Sequence, residues 1–423
     1  MQYEKRALPG GLRVIVAPMA DTQAATLWVL FGTGSKYEKK HTNGVSHFLE
    51  HLFFKGTKNR PRPQDIFGEL DRIGSQHNAF TSKEYTGYYV KAAAKHFDIA
   101  LDIVSDMLLN PIFKKEEIEK ERGVILQELS MYEDDPSRQA HEIFESLLYG
   151  DQPAGWDTGG YPHTVKAITR DDIVKYRFSH YLSSNAVVVV AGNVDPETVF
   201  SKVAKAFSAM EDGKKVEKPK VVERQQKPAV FFKRKDVDQT HVRVGVRSCD
   251  MFDERRFPIM LMQTILGGNS SSRLFMELRE KLGLTYYVGA SAQEYTDTGY
   301  VVASAGVPHA KLPIVTKKIV QILKDMKTKG VSEKEIRHAK DYMAGSMALA
   351  FESTDEVASF LGGQELFYRK ILTPKDILEK LEKVTKGDIM KIVRDLFRKN
   401  NVNLAAIGPQ DDTKQYEKIL AEL

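Results

Sequence analysis

Apolar and polar positions along this chain follow two periods, and the period in force predicts each element. "TQAATLWVLFGTGS" (residues 22–35) is a compact run rich in aromatic and β-branched side chains that closes on a glycine turn, so it reads as a strand. "NGVSHFLEHLFF" (residues 43–54) instead places Phe48, Leu49, Leu52 and Phe53 at helical spacing behind a turn signal, and "KGT" stops the run. "EEIEKERGVILQELSMYEDDP" (residues 116–136) has the charge alternation of a long, exposed helix. Each half runs through strands, a helix, more strands, long helices and a final helix–strand pair. That order predicts an α+β fold, helices layered on one face of a sheet.

The halves repeat. "AITRDDIVKYRFSHYLSSNAVVVVAGN" (residues 167–193) lies without gaps on "KVTKGDIMKIVRDLFRKNNVNLAAIGP" (residues 383–409), with Thr169 on Thr385, Asp172 on Asp388, Asn185 on Asn401 and Gly192 on Gly408, a constant offset of 216. Each copy reads as a Thr-capped amphipathic helix, an Asn-containing turn and a buried apolar strand. A period this long is a duplicated domain, not a solenoid. Between the copies, "DGKKVEKPKVVERQQKP" is charged, free of aromatics and carries two prolines, which is linker chemistry. The expected organisation is an N-terminal domain at 1–211, a linker at 212–228 and a homologous C-terminal domain at 229–423.

Composition narrows the class. At 423 residues the chain exceeds what one core usually serves. Apolar residues at 42% and charged ones at 28% describe an ordinary globular protein. The net charge of +5 is spread among acids, without a basic stripe, so no nucleic-acid partner is expected. No apolar run approaches the ~20 residues that span a bilayer, so no membrane is expected either. The opening "MQYEKRALPGGLRVIVAP" lacks the apolar core of a signal peptide. Cys249 is the single cysteine, which excludes an internal disulfide and a cysteine metal cage. The expected location is the reducing cytoplasm.

The chemistry concentrates in "HFLEH". His47 and His51, at i and i+4, point from one helix face toward a common point, a spacing that suits two nitrogen ligands of tetrahedral zinc. Glu50 flanks them where a general base belongs, so the motif is H-E-x-x-H inverted. The bland alternative is a helix with two solvated histidines; by chance such a pattern arises on the order of 0.02 times in a chain this long. Zinc needs a third protein ligand. Glu128 shares a helix face with Val124, Ile125 and Leu129, and a buried, unpaired carboxylate there costs several kcal/mol unless a metal or a basic side chain meets it. Glu121 lies two turns earlier on the same face, placed to support the site. A core-edge glutamate paired with Arg122 or a lysine is the competing reading of Glu128.

"GVSHFLEHLFFKGT" with the distal "ERGVILQELSMYEDDP" resembles the pitrilysin-type zinc peptidases, the group of insulin-degrading enzyme and the mitochondrial processing peptidase. The 76 residues between His51 and Glu128 are similar to the processing-peptidase branch, as in a single-chain member of bacterial or archaeal type. The resemblance implies two homologous domains, each a mostly antiparallel sheet with helices on one face. It also implies one zinc per chain on His47, His51 and Glu128, with Glu50 activating water and Glu121 supporting the site. "RIGSQHNAFTSKEYTGYYV" resembles the strand that pairs with substrate backbone, which implies contacts at His77, Asn78, Ala79 and Phe80; read alone, His77 is a solvated loop histidine. "SSRLFMELREKLGLTYYVGAS" resembles the family's arginine–tyrosine pair, here Arg279 and Tyr286; read alone, these are a surface arginine and a strand residue. The second half has "FPIMLMQTILGGNSSSRLF" in place of a zinc helix.

The expected function is a zinc-dependent endopeptidase that hydrolyses peptides or unfolded, presequence-like segments inside a chamber closed by a dimer. Zinc motif and Arg/Tyr pair in one chain favour a homodimer over a heterodimer with a homologous subunit. The contrasting expectation is a non-catalytic structural subunit of the same fold.

Overall fold

The computed structural model of the chain describes residues 1–368, 370–410 and 412–423. The first half supplies strands β1 (Glu4–Ala7), β2 (Arg13–Pro18), β3 (Ala24–Phe31), β4 (Gln76–Thr81), β5 (Thr86–Ala93) and β6 (Ala186–Gly192). Its helices are α1 (Val45–Phe53), α2 (Pro63–Arg72), α3 (Phe97–Leu109), α4 (Lys115–Glu133), α5 (Pro136–Tyr149), α6 (Pro162–Ala167), α7 (Arg170–His180) and α8 (Pro196–Ala206). The second half supplies β7 (Ala229–Arg234), β8 (Thr240–Ser248), β9 (Tyr287–Glu294), β10 (Gly299–Val307) and β11 (Val402–Gly408). Its helices are α9 (Arg256–Gln263), α10 (Leu312–Thr328), α11 (Glu333–Ala350), α12 (Thr354–Phe367), α13 (Pro374–Lys383), α14 (Lys386–Leu396) and α15 (Thr413–Leu420).

The repeat read from sequence is a repeat in space. One sheet runs β1-β2-β6-β3-β5-β4 and the other β7-β11-β8-β10-β9, the same order apart from the extra β1. Each has one parallel pairing, β2 with β6 and β7 with β11, among antiparallel ones. Even the parallel register repeats at 216, with Arg13 opposite Val187 and Ala229 opposite Asn403. Thr169 and Thr385 each cap their helix through the N–H of the aspartate three residues on. Asn185 donates to the carbonyls of Gly32 and His180, and Asn401 to those of Arg247 and Leu396, so each copy ties its helix end to its sheet alike.

The chain divides into two compact units. One comprises Met1–Ser130, Asp157–Pro219 and Met347–Pro374; the other comprises Met131–Trp156, Lys220–Ser346 and Lys375–Leu423. The units are therefore drawn differently from the sequence halves 1–211 and 229–423: α12 lies in the first unit and α5 in the second. In the first unit, Val14, Val16, Leu27, Val29, Val188 and Val190 face α1, α3, α7 and α8. Their alternates Ile15, Trp28, Leu30, Val187 and Val189 face Val357, Ala358 and Leu361 of α12. With both faces covered, β6 is a continuous apolar strand rather than an alternating one, each such side chain stabilising by about 1.5–3 kcal/mol. In the second unit, Phe144, Leu148 and Tyr149 of α5 pack on Tyr300, Val302 and Ala405.

Both exchanged helices sit close, and glycine makes room for each. A Cβ on Gly362 of α12 would stand 2.3 Å from Leu30 Cδ1, and one on Gly245 of β8 would stand 2.7 Å from Phe144 Cζ. Residues 212–227 carry no regular element; Val221 N–H donates to Asp297 Oδ2 at 3.0 Å. Among the described residues, no helix is long and apolar enough to cross a membrane.

Candidate metal centre

Helix α1 is placed by its first residues. Gly44, at its N-cap, has φ +98°, and a Cβ there would stand 2.7 Å from the Gly159 carbonyl oxygen, so this turn requires glycine. No N-cap side chain satisfies the first turn. Glu38 does so instead: its Oε2 accepts from the Gly44 N–H at 2.7 Å and Asn43 Nδ2 at 2.8 Å, and its Oε1 from the Ser46 N–H at 2.8 Å. Burial pushes this carboxyl up to about 6. The helix then buries Phe48, Leu49, Leu52 and Phe53, which turns His47, Glu50 and His51 to the other side.

Helix α4 brings Glu121 and Glu128 against that side. His51 Nε2 lies 3.3 Å from His47 Nε2 and 3.3 Å from Glu128 Oε2, and His47 Nε2 lies 3.5 Å from the same oxygen. Ligand atoms bound to one tetrahedral zinc at about 2.0–2.1 Å stand about 3.3–3.4 Å apart. Two imidazole nitrogens and a carboxylate oxygen at these separations fit zinc in both geometry and donor type. The rings meet edge-on at 82°, and all three side chains keep some exposure, 12–19%, which leaves a side open for a further ligand. Among the described residues this is the group that could hold a metal. Of the aliphatic neighbours expected beside Glu128, Ile125 and Leu129 pack into the core, whereas Val124 is exposed.

Glu121 Oε2 lies 3.0 Å from His51 Nδ1, and Lys55 Nζ reaches its Oε1 at 2.8 Å. A proton held on Nδ1 leaves the Nε2 lone pair for a metal. Burial disfavours a charged His51, but the hydrogen bonds it donates to Glu121 and Glu128 outweigh this and raise its pKa to about 9. Burial likewise pushes Glu50 upward, partly offset by Thr81, whose Oγ1 donates to Glu50 Oε2 at 2.6 Å.

Strand β4, which carries His77, Asn78, Ala79 and Phe80, is the edge of its sheet. His77 is thus a strand residue rather than a loop histidine. It is half-buried, with Nδ1 3.1 Å from Ser75 Oγ and its ring beside Phe67, because the alternation of an edge strand turns it toward α2. The Ala79 N–H is taken by Asn78 Oδ1 at 2.9 Å, and Phe80 packs on Trp28. Arg279 and Tyr286 belong to the second unit, not to that of the donors. Arg279 sits on a wide-turn helix, Phe275–Lys281, over the Phe275 ring at 5.2 Å; Tyr286 precedes β9 and is 79% exposed.

Thr81, Lys55 and Glu38 were not read from sequence. Lys55 carries a faint signal, standing four residues after His51. Thr81 and Glu38 act across elements, where no spacing rule reaches.

A family model described as insulinase, peptidase family M16, matches residues 13–159, the stretch that holds the donor triad and Glu50. A second, described as the peptidase M16 inactive domain, matches residues 167–343. An uncharacterized zinc protease of Bacillus subtilis is 33% identical over 402 residues, covering 94% of this chain and 96% of its own length. Another, of Streptomyces coelicolor, is 34% identical over 414 residues, covering 96% of this chain and 90% of its own. The crystal structure of a protease from Helicobacter pylori aligns with a TM-score of 0.91 at 24% identity, over 96% of this chain and 99% of that one. That of a peptidase M16 inactive domain from Pseudomonas fluorescens aligns at 0.90 and 17% identity, over 97% and 98%. These two show a shared fold.

Proposed function

The chain belongs to the insulinase family of peptidases, family M16, and from that premise we propose that it is a zinc-dependent endopeptidase with its site on His47, His51, Glu128 and Glu50. The observation that carries the reading is the donor triangle, matched to one tetrahedral ion and flanked by the half-buried carboxylate of Glu50. The match to the inactive-domain model does not weigh against it, since that match begins after the last donor.

His47, His51 and Glu128 would hold the zinc, which would supply Lewis-acid activation of a water and of the scissile carbonyl. The residues of the chain do the rest. Glu50 takes the proton of the attacking water and returns it to the leaving nitrogen, and burial pushes its pKa upward, the direction that suits a group that must both accept and donate. Glu121 holds the His51 ring in the tautomer that binds. The open edge of β4 receives the substrate as an added strand through backbone hydrogen bonds, and the Ala79 N–H exchanges its side-chain partner for a substrate carbonyl. Such recognition reads extended backbone, which suits unfolded segments.

The same proposal includes one zinc per chain, a homodimer whose Arg279 and Tyr286 reach substrate within a closed chamber, and a cytoplasmic location. The exposure of Tyr286 supports its availability to a substrate. Sedimentation of the zinc-loaded protein tests the dimer, and a monomer at working concentration would remove the chamber. Glu50→Gln tests the site. It is expected to keep zinc at the wild-type stoichiometry while kcat on a fluorogenic peptide falls by about 10²–10⁴. Zinc-loaded Glu50→Gln protein with undiminished turnover would remove the assignment.

A further inference from the structure

Strand β4 ends at Thr81, and Thr81 is where this strand meets the carboxylate assigned above as the base. Its Oγ1 donates to Glu50 Oε2 at 2.6 Å. We infer that Thr81 is a positioning residue for Glu50: its hydroxyl holds one carboxylate oxygen so that the other is aimed at the water. It does so from the strand that seats the substrate, so one element sets both the aim of the base and the register of the peptide. The inference rests on the peptidase reading.

A glutamate side chain turns about three bonds, and a general base must come within about 2.6–3.2 Å of its proton, so rotation of the carboxylate alone can disarm it. A hydroxyl that donates to one oxygen removes that freedom without consuming the other. The holder must itself be fixed, and Thr81 is. It pairs with Thr86 at the head of the β4–β5 hairpin, and the turn closes through the Ser82 N–H to the Tyr85 carbonyl at 2.9 Å. The incoming loop from β3 locks onto this turn: the Ser35 N–H donates to the Ser82 carbonyl at 3.1 Å and the Lys36 N–H to the Lys83 carbonyl at 2.8 Å. The approach is so close that a Cβ on Gly34 would stand 2.2 Å from the Ser82 carbonyl oxygen. Glu84, 3% exposed, adds ion pairs to Lys36 Nζ at 2.8 Å and to Lys218 Nζ of the linker at 3.3 Å. A loop, a hairpin and the linker thus converge on the turn beside Thr81. The same loop carries Glu38, which caps α1 and so sets the height of Glu50.

A threonine here for strand propensity alone would be replaceable by valine, which favours strands at least as well and has the same shape. The hydroxyl is what valine lacks. The test compares zinc-loaded, full-length Thr81→Val and Thr81→Ser with wild type by zinc content, by kcat and KM on a fluorogenic peptide, and by crystal structure. The expected result for Thr81→Val is unchanged zinc, KM within about twofold and kcat lowered about ten- to hundredfold, with Thr81→Ser within about threefold of wild type. The Glu50 carboxylate is expected to be displaced or split between rotamers in Thr81→Val crystals. Thr81→Ala takes the place of Thr81→Val if the latter fails to fold or to hold zinc. A kcat within twofold of wild type, a loss carried by KM alone, or serine no better than valine would overturn the inference. The crystallographic arm stands even if wild type cuts no peptide, in which case the peptidase reading has failed: a displaced Glu50 still supports the inference, and an unmoved one ends it.

Discussion

His51 can offer Nε2 to a metal because Glu121 accepts the proton on Nδ1, and Lys55 in turn balances Glu121 from just beyond the same helix. Burial of Glu121 opposes its charge, but His51 and Lys55 outweigh that and hold its pKa below the usual carboxylate range. Replacing it by alanine frees the imidazole to rotate and to change tautomer. Zinc affinity of Glu121→Ala is expected to fall about 10–100-fold in a chelator competition, and an unchanged affinity would show that the packing of α1 alone orients the ring. At this scale the helix period made His47, Glu50 and His51 legible, since all three lie within five residues of one element. Glu128 was legible by its place on an apolar-flanked face. Lys55 was only faintly so, and Glu38 and Thr81 were not, because a contact between side chains of different elements leaves no trace in spacing.

Helix α1 is short, nine residues, and its own capping position offers no side chain. A helix of this length does not hold itself in water, so its ends must be tied by the rest of the fold. Glu38 provides that tie from outside the helix, and its carboxyl, raised from 4.5 to about 6 by burial, makes the tie pH-dependent. A raised carboxyl binds its proton more tightly in the folded state. Its stabilising contribution is full below the unfolded value of 4.5 and is lost as pH rises through 6. Glu38→Gln imitates the protonated form at every pH. Wild type is therefore expected to lose about 2 kcal/mol relative to the variant between pH 4.5 and 7, read as the difference between their urea unfolding curves. A constant difference across that range would mean that the carboxyl ionises without cost. The repeated helix–strand pairs show how far an element can be read: Thr cap, Asn tie and apolar strand recur at 216 because each is encoded within a few neighbouring residues.

Across the whole molecule, the two compact units are interleaved along the chain. Helix α12, from the second half of the sequence, covers Trp28, Leu30, Val187 and Val189 in the first unit. Leu361→Ala, at a fully buried position, is expected to cost about 2–5 kcal/mol in urea unfolding. A loss below about 1 kcal/mol would make this helix dispensable to the unit. Residues 1–211 expressed alone leave that sheet face bare, so they are expected to bind a hydrophobic dye and to aggregate; a monomeric, cooperatively folding fragment would contradict this. The linear sequence by itself determined the duplication, the strand and helix periods, the histidine pair and its glutamate, because each is a pattern among near neighbours or a match at one constant offset. Only the tertiary structure decided that each unit is completed by a helix from the other half, that Glu38 and Thr81 hold the helix and the carboxylate, and that three donor atoms stand one tetrahedral edge apart. Those facts depend on distances between residues up to hundreds of positions apart, which folding sets through the summed burial of many side chains rather than through any local code.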